Sequence, residues 1–212
     1  MVYCSVLKNK KILITAGPTW VAIDSVRVIS NIASGETGVI LAEKLERLGA
    51  KVTLLLGPVS ACCISNKIRL LPFKFFEELK EKIEKELRAH KYDILIHSAA
   101  VADYRPKKVS SGKISSGVKN LRLDLVPTEK IIKAIKKIDK DIFLVGFKFE
   151  PQAKKQVLLK EARNLMRSTG ADLVVANSAK NGYLAYLVSA VNNHGPFNTK
   201  ESMSMNLIKL IR

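Results

Sequence analysis

The chain has 212 residues, with 36 lysines and arginines against 19 aspartates and glutamates, so its formal net charge is +17. Residues 105–160 hold fifteen basic and five acidic side chains, which places +10 of that charge in one part of the sequence. A basic excess attracts nucleoside triphosphates, phosphorylated metabolites, nucleic acids and acidic membrane surfaces alike, and charge alone does not choose among them.

Other features of the composition narrow the class of protein. No segment reaches the roughly 18 to 20 apolar residues of a membrane span, and the opening MVYCSVLKNKK lacks the apolar stretch of a secretory signal. We therefore expect a cytoplasmic protein with no membrane partner. Cys4, Cys62 and Cys63 match neither a disulfide framework nor a zinc motif, so we predict that they are small apolar fillers. The length favours a single domain over residues 1–212.

Apolar runs alternate with amphipathic stretches along the chain. The pattern predicts, in order, a strand at 12–16, a helix at 36–49, strands at 51–56 and 67–72, a helix at 74–90 and a strand at 92–97. It then predicts a strand near 121–126, a helix near 129–139, a strand at 142–147, a helix at 152–168 and strands at 171–177 and 183–191, the last of which could lie at the sheet edge. Thr199 is expected to cap a closing helix.

This alternation predicts an α/β fold: a three-layer α/β/α sandwich around a Rossmann-like, doubly wound and mainly parallel sheet. In such folds ligands bind beyond the carboxyl ends of the strands. Residues 104–120 interrupt the alternation with serines, glycines and lysines, and we predict a mobile surface loop there.

Two glycine-bearing loops follow the first strand. The apolar run at 12–14 enters Gly17-Pro18-Thr19, and a second loop with Gly35 opens the helix predicted at 36–49. Small residues before a helix leave backbone N–H groups free at its positive end, which favours bound anions. The dinucleotide fingerprint GxGxxG is absent.

Seven segments between residues 14 and 177 resemble phosphopantothenate–cysteine ligases and follow one another in the order of that family. They are ITAGPT at 14–19, IDSVRVISN at 23–31, SG at 34–35, AAVADYRP at 99–106, KI at 113–114, VGF at 145–147 and ADLVVAN at 171–177. Each segment alone would be a weak signal, whereas seven in register are specific.

The resemblance implies a reaction. The carboxylate of 4'-phosphopantothenate attacks the α-phosphate of CTP or ATP with Mg²⁺ and releases pyrophosphate, and the amine of L-cysteine then displaces the nucleoside monophosphate. The family also implies a homodimer. Many bacterial members have a flavin-dependent decarboxylase ahead of the ligase, and because the first strand here begins by Lys11 we expect that activity on a separate polypeptide.

The same resemblance implies roles for individual residues. The catalytic candidates are Asn31, whose amide would contact the acyl-nucleotide, and Lys113, which would neutralise charge on the phosphates. The candidates for substrate binding are Asn31 again, Arg27 from the neighbouring subunit, Ala99, Ala100 and Asp103, with Asp103 also a candidate metal ligand. Those for nucleotide binding are Gly17, Ser34, Gly35, Gly38, Phe147 and Asn177.

Ordinary structural roles stay open for several of these residues. Asn31 suits a turn, Arg27 a surface ion pair, and Lys113 a solvated position in a basic loop. Asp24 could simply pin its own loop. His97 ends an apolar run, and we expect it to be packed or hydrogen-bonded rather than catalytic.

The sequence also departs from the family pattern. Ala33 replaces a hydroxyl-bearing residue of the glycine loop, and Glu129-Lys130 stands where members with the fused decarboxylase usually have Pro-Asp. Leu165 and Thr169 stand where those members have two lysines, so the choice between CTP and ATP is open.

Two other classes of function compete with the ligase. Tyr104 and Lys108 have the spacing of the short-chain dehydrogenase pair, although Pro106 opposes the helical turn which that pair requires. A nucleic-acid binder would fit the charge, but the aromatic residues of 105–160 are three phenylalanines within one apolar run, so we expect no nucleic-acid partner.

Overall fold

The computed structural model describes residues 7–60 and 64–211. The three cysteines, predicted to be apolar fillers, lie outside these residues. Within the described residues the strands are β1 Lys11–Ala16, β2 Trp20–Ala22, β3 Val28–Ser30, β4 Lys51–Leu56, β5 Arg69–Pro72, β6 Ile94–His97, β7 Tyr104–Pro106, β8 Leu125–Pro127, β9 Phe143–Phe149, β10 Leu173–Ser178, β11 Leu184–Ser189 and β12 Asn193–Phe197. The helices are α1 Glu36–Arg47, α2 Phe76–Ala89, α3 Ile131–Ile138, α4 Lys155–Thr169 and α5 Lys200–Leu210.

Eight strands form one sheet in the order β12-β11-β10-β9-β6-β1-β4-β5. The six strands β10, β9, β6, β1, β4 and β5 run parallel to one another. Strand β11 is antiparallel to β10, and β12 is antiparallel to β11. From β1 the chain first winds outward through β4 and β5, and it then returns to β6 on the other side of β1. The predicted doubly wound, mainly parallel sheet is therefore confirmed, and the order reverses between β1 and β6.

The sheet has a hydrophobic layer on each face. Along β1, Ile12 and Ile14 are fully buried against the layer of α1 and α5, whereas Leu13 between them is fully buried against the layer of α2, α3 and α4. A strand buried on both faces has no polar side for water, which explains its continuous apolar run. The helices repeat their buried residues three or four positions apart, as Leu79 and Ile83 of α2 do.

Some predicted elements differ from the observed ones. The strand expected near 121–126 is reduced to β8, which pairs with β7 in a separate two-stranded ribbon. Residues 104–106 form β7, so the irregular segment begins after the predicted boundary. The late strand is β11, but β12 is the edge strand. Thr199 caps α5 as predicted, since its hydroxyl accepts a hydrogen bond from the Ser202 N–H at 3.0 Å.

Over residues 7–60 and 64–211, none of the helices is both long enough and apolar enough to cross a membrane.

His97 closes β6 in a buried position, with 7% of its surface exposed. It lies beside Thr15 of β1 in the sheet register, and its Nδ1 is 2.9 Å from the Thr15 hydroxyl. Burial disfavours the charged imidazolium and lowers the pKa of His97 from its ordinary 6.5 to about 4. His97 is thus packed and hydrogen-bonded, as the sequence predicts.

Replacing His97 by asparagine is expected to make the folded protein lose less stability in acid than the wild type does. The unfolded chain protonates this histidine near pH 6.5 and the folded chain only near pH 4, so the free energy of unfolding falls as the pH drops between these values. His97 accounts for a fall in the free energy of unfolding on the order of 3 kcal/mol. Urea denaturation of both proteins at about pH 7.5 and about pH 4.5 measures this fall.

The exposed His194 provides the control, because His194→Asn should leave the pH dependence of stability as it is in the wild type. An equal acid-induced loss in His97→Asn and wild type would contradict the role assigned to His97.

Candidate active site

A cleft of about 870 Å³ opens at the carboxyl edge of the sheet, next to the point where the strand order reverses. Its walls come from the segment that follows β6, from the end of β9, from Asn177 of β10 and from α3 and α4. A doubly wound sheet leaves a crevice there because the connections on the two sides of the reversal run in opposite directions. The cleft has both charged and apolar side chains in its walls.

Half of the twelve residues predicted for the site line this cleft. They are Asn31, Ala99, Ala100, Asp103, Phe147 and Asn177. The other six lie outside its walls. They are Arg27, Lys113, Gly17, Ser34, Gly35 and Gly38.

Asn31 follows β3 and is held against the segment after β6. Its amide nitrogen donates to the carbonyl oxygens of Ala100 at 3.3 Å and Val101 at 3.0 Å. The side chain is exposed in the cleft rather than sealed in the interior, and it lies in the same cavity as Asp103. Because its N–H groups are already used, Asn31 ties the β2–β3 ribbon to the cleft wall in this conformation.

The segment after β6 is fixed to the end of β1 by a series of hydrogen bonds. The Ser98 hydroxyl donates to the Thr15 carbonyl at 2.7 Å, and the Ala100 N–H donates to the Gly17 carbonyl at 2.9 Å. The Ala102 N–H then donates to the Thr19 hydroxyl at 2.9 Å. Ala99 and Ala100 therefore present small side chains on a backbone that is held in place, which allows a ligand to approach closely.

Asp103 lies at the rim of the cleft with 63% of its side chain exposed. Its carboxylate pairs with the Lys130 ammonium, and its carbonyl accepts from the Thr128 N–H at 2.9 Å. No group of three or more His, Cys, Asp or Glu residues that could hold a metal occurs among residues 7–60 and 64–211. Asp103 therefore offers one exposed carboxylate rather than part of a ready metal centre.

The predicted glycine cradle lies beside the cleft. Gly17 and Gly35 both have positive φ, and a Cβ on Gly35 would lie 3.2 Å from the Gly17 backbone nitrogen. A Cβ on Gly38 would lie only 2.4 Å from the Ala16 Cβ, so this glycine lets α1 pack directly on β1. The Ser34 hydroxyl accepts from the Glu36 N–H at 3.4 Å. The contacts observed at these residues are packing and local turn contacts, and phosphate binding there stays a prediction.

Asp24 fixes the predicted loop at 104–120 as well as the connection between β2 and β3, to which it belongs. Its carboxylate accepts hydrogen bonds from the N–H groups of Val26, Arg27 and Ile114 at 2.7–3.1 Å and from the Arg27 guanidinium. Burial alone would raise the pKa of Asp24, but these hydrogen bonds outweigh it and hold that pKa well below its ordinary value. Asp24 thus fixes the backbone next to Lys113, whose side chain is exposed.

Arg27 and Lys113 therefore come together outside the cleft. The Arg27 guanidinium donates to the Ile114 carbonyl at 3.1 Å in addition to its pairing with Asp24. The segment is also held by the Ser110 N–H, which donates to the Ile23 carbonyl at 3.1 Å. The irregular segment is thus attached to the β2–β3 connection at two points.

Phe147 and Asn177 reach the cleft from neighbouring parallel strands. Phe147 lies opposite Val175 and Asn177 opposite Phe149 in the register of β9 and β10. Asn177 therefore lies two residues farther along the strand direction than Phe147, and the two positions share one face of the sheet. Both side chains are partly exposed, as contacts to a ligand require.

The departures from the family pattern occupy defined places. Leu165 and Thr169 both line the cleft, and the Thr169 hydroxyl donates to the Leu165 carbonyl at 2.7 Å. Glu129 lies outside the cleft walls and pairs with Lys80 at 2.6 Å, whereas Lys130 lines the cleft. Two neighbouring residues of the sequence thus have different surroundings.

Three cationic side chains of the cleft were missed in the sequence. They are Lys130, Lys133 and Lys148. Lys130 pairs with Asp103 and Lys148 with Glu150, while Lys133 makes no ion pair within the described part of the chain. The basic excess of residues 105–160 was the available signal, but charge does not reveal which of fifteen basic groups face a cavity.

The dehydrogenase alternative fails on the structure. Tyr104 and Pro106 belong to the extended strand β7, and Lys108 follows in an irregular exposed segment. The pair therefore does not share a helical turn.

Comparison with known proteins gives the family. The family model named DNA/pantothenate metabolism flavoprotein C-terminal domain matches residues 7–211 of the sequence. The chain is 42% identical over 175 residues to the coenzyme A biosynthesis bifunctional protein CoaBC of Thermococcus kodakarensis, and the matched region is 82% of this chain and 42% of that protein. It is 36% identical over 174 residues to CoaBC of Bacillus subtilis, and that region is 82% of this chain and 41% of the relative. The chain thus spans less than half the length of these curated relatives.

Solved structures have the same fold. The DNA/pantothenate metabolism flavoprotein from Streptococcus pneumoniae matches with a TM-score of 0.85 and 28% identity, covering 95% of this chain and 98% of that one. A Cab2 mutant in complex with phosphopantothenate-cysteine matches with a TM-score of 0.78 over 98% of this chain and 86% of that one, and at 20% identity this likeness concerns the fold. Since the domain model covers nearly all of the sequence, the chain belongs to the family of the DNA/pantothenate metabolism flavoprotein C-terminal domain.

Proposed function

We propose that this chain is a phosphopantothenate–cysteine ligase of coenzyme A biosynthesis, which joins 4'-phosphopantothenate to L-cysteine through an acyl-nucleotide. The observation that carries the proposal is the gathering of Asn31, Ala99, Ala100 and Asp103 with Phe147 and Asn177 around one cleft at the strand-order reversal. Relatives named for coenzyme A biosynthesis and a structural neighbour that holds phosphopantothenate-cysteine support it.

The chemistry brings anions together. In the first step a carboxylate oxygen of phosphopantothenate bonds to the α-phosphorus of the nucleoside triphosphate, the bond to the β-phosphate oxygen breaks, and pyrophosphate leaves. In the second step the cysteine nitrogen bonds to the acyl carbon, loses a proton, and the nucleoside monophosphate leaves with one oxygen of the original carboxylate. Such steps are accelerated by positioning and by fixed positive charge rather than by a strong base.

The cleft supplies these requirements from its own residues. Lys130, Lys133 and Lys148 line it, and the charges of ammonium groups offset the repulsion between a carboxylate and a triphosphate. Buried His97 stays neutral near pH 7 and has no role as an acid in this proposal. Phe147 would pack against the nucleotide base, and Asn177 would hydrogen-bond to the nucleotide.

The co-substrate is CTP or ATP bound as its magnesium complex. Mg²⁺ is commonly held by one or two carboxylates together with phosphate oxygens and water, and the exposed carboxylate of Asp103 fits that donor set. Lys130 would then be released from Asp103 and be free to bind phosphate. The Asp103 carboxylate would thus hold the Mg²⁺ of the triphosphate, and the Lys130 ammonium would bind its phosphate oxygens.

The chain would act as a homodimer. The β2–β3 and β7–β8 ribbons contact each other and expose large apolar side chains, including Val26 at 66%, Tyr104 at 55% and Leu125 at 46%. Exposed apolar side chains on adjoining ribbons favour a protein interface. Arg27 lies on this surface and outside the cleft of its own subunit, which supports a role at the cleft of the neighbouring one. The separate decarboxylase and the cytoplasmic location stay predictions.

Purified protein is expected to form phosphopantothenoylcysteine when it is given phosphopantothenate, cysteine, Mg²⁺ and one nucleoside triphosphate at a time. Pyrophosphate and the product should appear in equal amounts with CTP, with ATP or with both, which identifies the nucleotide. Mass spectrometry and a pyrophosphate assay provide the measurement. Binding of nucleotide without any product would contradict the proposal.

Two substitutions test the residues in this assay. Asn31→Asp should keep nucleotide binding but lower turnover about 100-fold or more, because a carboxylate would face two carbonyls and has no N–H group to donate to the acyl-nucleotide. Lys113→Gln should reduce turnover with the fold intact. The matched controls are Asn181→Asp and Lys119→Gln, both at exposed positions, and near-normal activity in Asn31→Asp would remove that residue from the mechanism.

A mixture of two inactive variants should regain activity if Arg27 serves the neighbouring subunit. In dimers that combine one Arg27→Ala chain with one Asn31→Asp chain, one of the two clefts has both residues intact. Random mixing of equal amounts should restore about a quarter of wild-type turnover. Light scattering gives the oligomeric state. A monomer, or a stable dimer with no recovered activity, would contradict this arrangement.

A further inference from the structure

A second cavity lies at the opposite, amino edge of the sheet. It has a volume of about 460 Å³ and is lined by the first residues of β1, β4 and β5 together with residues of α1 and the segment after α2. Four cationic side chains and one carboxylate face it, and they are Lys11, Lys51, Lys67, Arg69 and Glu46. We call it the amino-edge pocket. Six-residue strands separate it from the cleft by about 20 Å.

Two of the three lysines lie at the same level on adjacent strands. Lys11 and Lys51 are register partners in β1 and β4, and we call them the lysine pair. Arg69 begins β5 as the partner of Thr53, and Lys67 lies in the turn before that strand. Neighbouring parallel strands are about 4.8 Å apart, so the two ammonium-bearing side chains of the lysine pair start side by side.

Two like charges side by side are unfavourable without a counter-ion. Lys67 has Glu46 at 3.8 Å, a long contact, with 76% of the lysine side chain exposed. Lys11 and Lys51 are exposed and make no ion pair within the described part of the chain. The nearby Asp93 carboxylate accepts a hydrogen bond from the Lys11 N–H at 2.8 Å, but its ion-pair partner is Lys10 at 3.0 Å. Net positive charge is therefore left over at this pocket.

The fourth cation is held rigidly. Arg69 forms a two-pronged pair with Glu86, with distances of 2.6 Å and 3.0 Å. Glu86 is only 5% exposed and also accepts from the Tyr92 hydroxyl at 2.6 Å. Because a guanidinium has five N–H groups and Glu86 uses two of them, the half-exposed Arg69 keeps donors for a ligand in a fixed orientation.

We propose that the amino-edge pocket binds a small anion with two linked phosphate groups, such as pyrophosphate or the diphosphate of a nucleotide. Arg69 would donate its remaining N–H groups to one phosphate, and the lysine pair would bind the second. Arg69 lies on β5 and Lys51 on the neighbouring β4, and a diphosphate spans the distance between neighbouring strands, which a single phosphate does not. This site is independent of the proposed ligase activity, and its position far from the cleft makes it suited to regulation.

Calorimetric titration with inorganic pyrophosphate tests the site. The variant Lys11→Gln/Lys51→Gln should bind at least about tenfold more weakly than wild type at this site, because each lost charge-assisted contact is worth about that factor. The control Lys74→Gln/Lys85→Gln removes the same charge from α2 and the residues before it, and its binding should stay within about twofold of wild type. Equal affinity in wild type and in Lys11→Gln/Lys51→Gln overturns the proposal.

Crystals soaked in pyrophosphate separate this site from the cleft. Density is expected between Lys51 and Arg69 in wild type and not in Lys11→Gln/Lys51→Gln. Density in the cleft alone overturns the proposal. Binding of polyglutamate without binding of pyrophosphate also overturns it, because the pocket would then recognise an acidic polypeptide.

Discussion

The site depends on the junction between the ends of β1 and β6, where Thr15 is the central residue. Its carbonyl accepts from the N–H and the hydroxyl of Ser98 at 3.1 Å and 2.7 Å, and its own hydroxyl contacts His97 Nδ1 at 2.9 Å and the Ala99 N–H at 3.3 Å. Thr15 is completely buried, so water does not compete for these bonds. The strand order reverses at this junction, and the bonds hold the cleft wall beside the opening.

Much of the fold could be predicted because its signals are local. Ile12, Leu13 and Ile14 are apolar in succession since both faces of β1 are covered, and Thr199 has the chemistry of a helix cap. The ribbons β2–β3 and β7–β8 were missed because three residues are too few to show an alternation. The strand expected near 121–126 failed because exposed side chains left β8 without a place in the main sheet.

The candidate site was predictable only in part. The family resemblance gave Ala99, Ala100 and Asn177, and these residues meet at the cleft because the carboxyl ends of parallel strands lie at one edge. The placement of Arg27 and Lys113 outside the cleft depends on Asp24, whose partners Arg27 and Ile114 lie 87 residues apart in the chain. The pairing of Lys11 with Lys51 in the amino-edge pocket depends on the register between β1 and β4, and composition contains no information on register.

The most direct test of the account follows oxygen from the acid into the nucleotide. Phosphopantothenate labelled with oxygen-18 in its carboxylate is incubated with cysteine, Mg²⁺ and the active nucleotide, and the released nucleotide is weighed by mass spectrometry. Attack on the α-phosphate predicts one labelled oxygen in the nucleoside monophosphate. Label in inorganic phosphate, or an unlabelled monophosphate, would contradict activation of the acid as an acyl-nucleotide in this cleft.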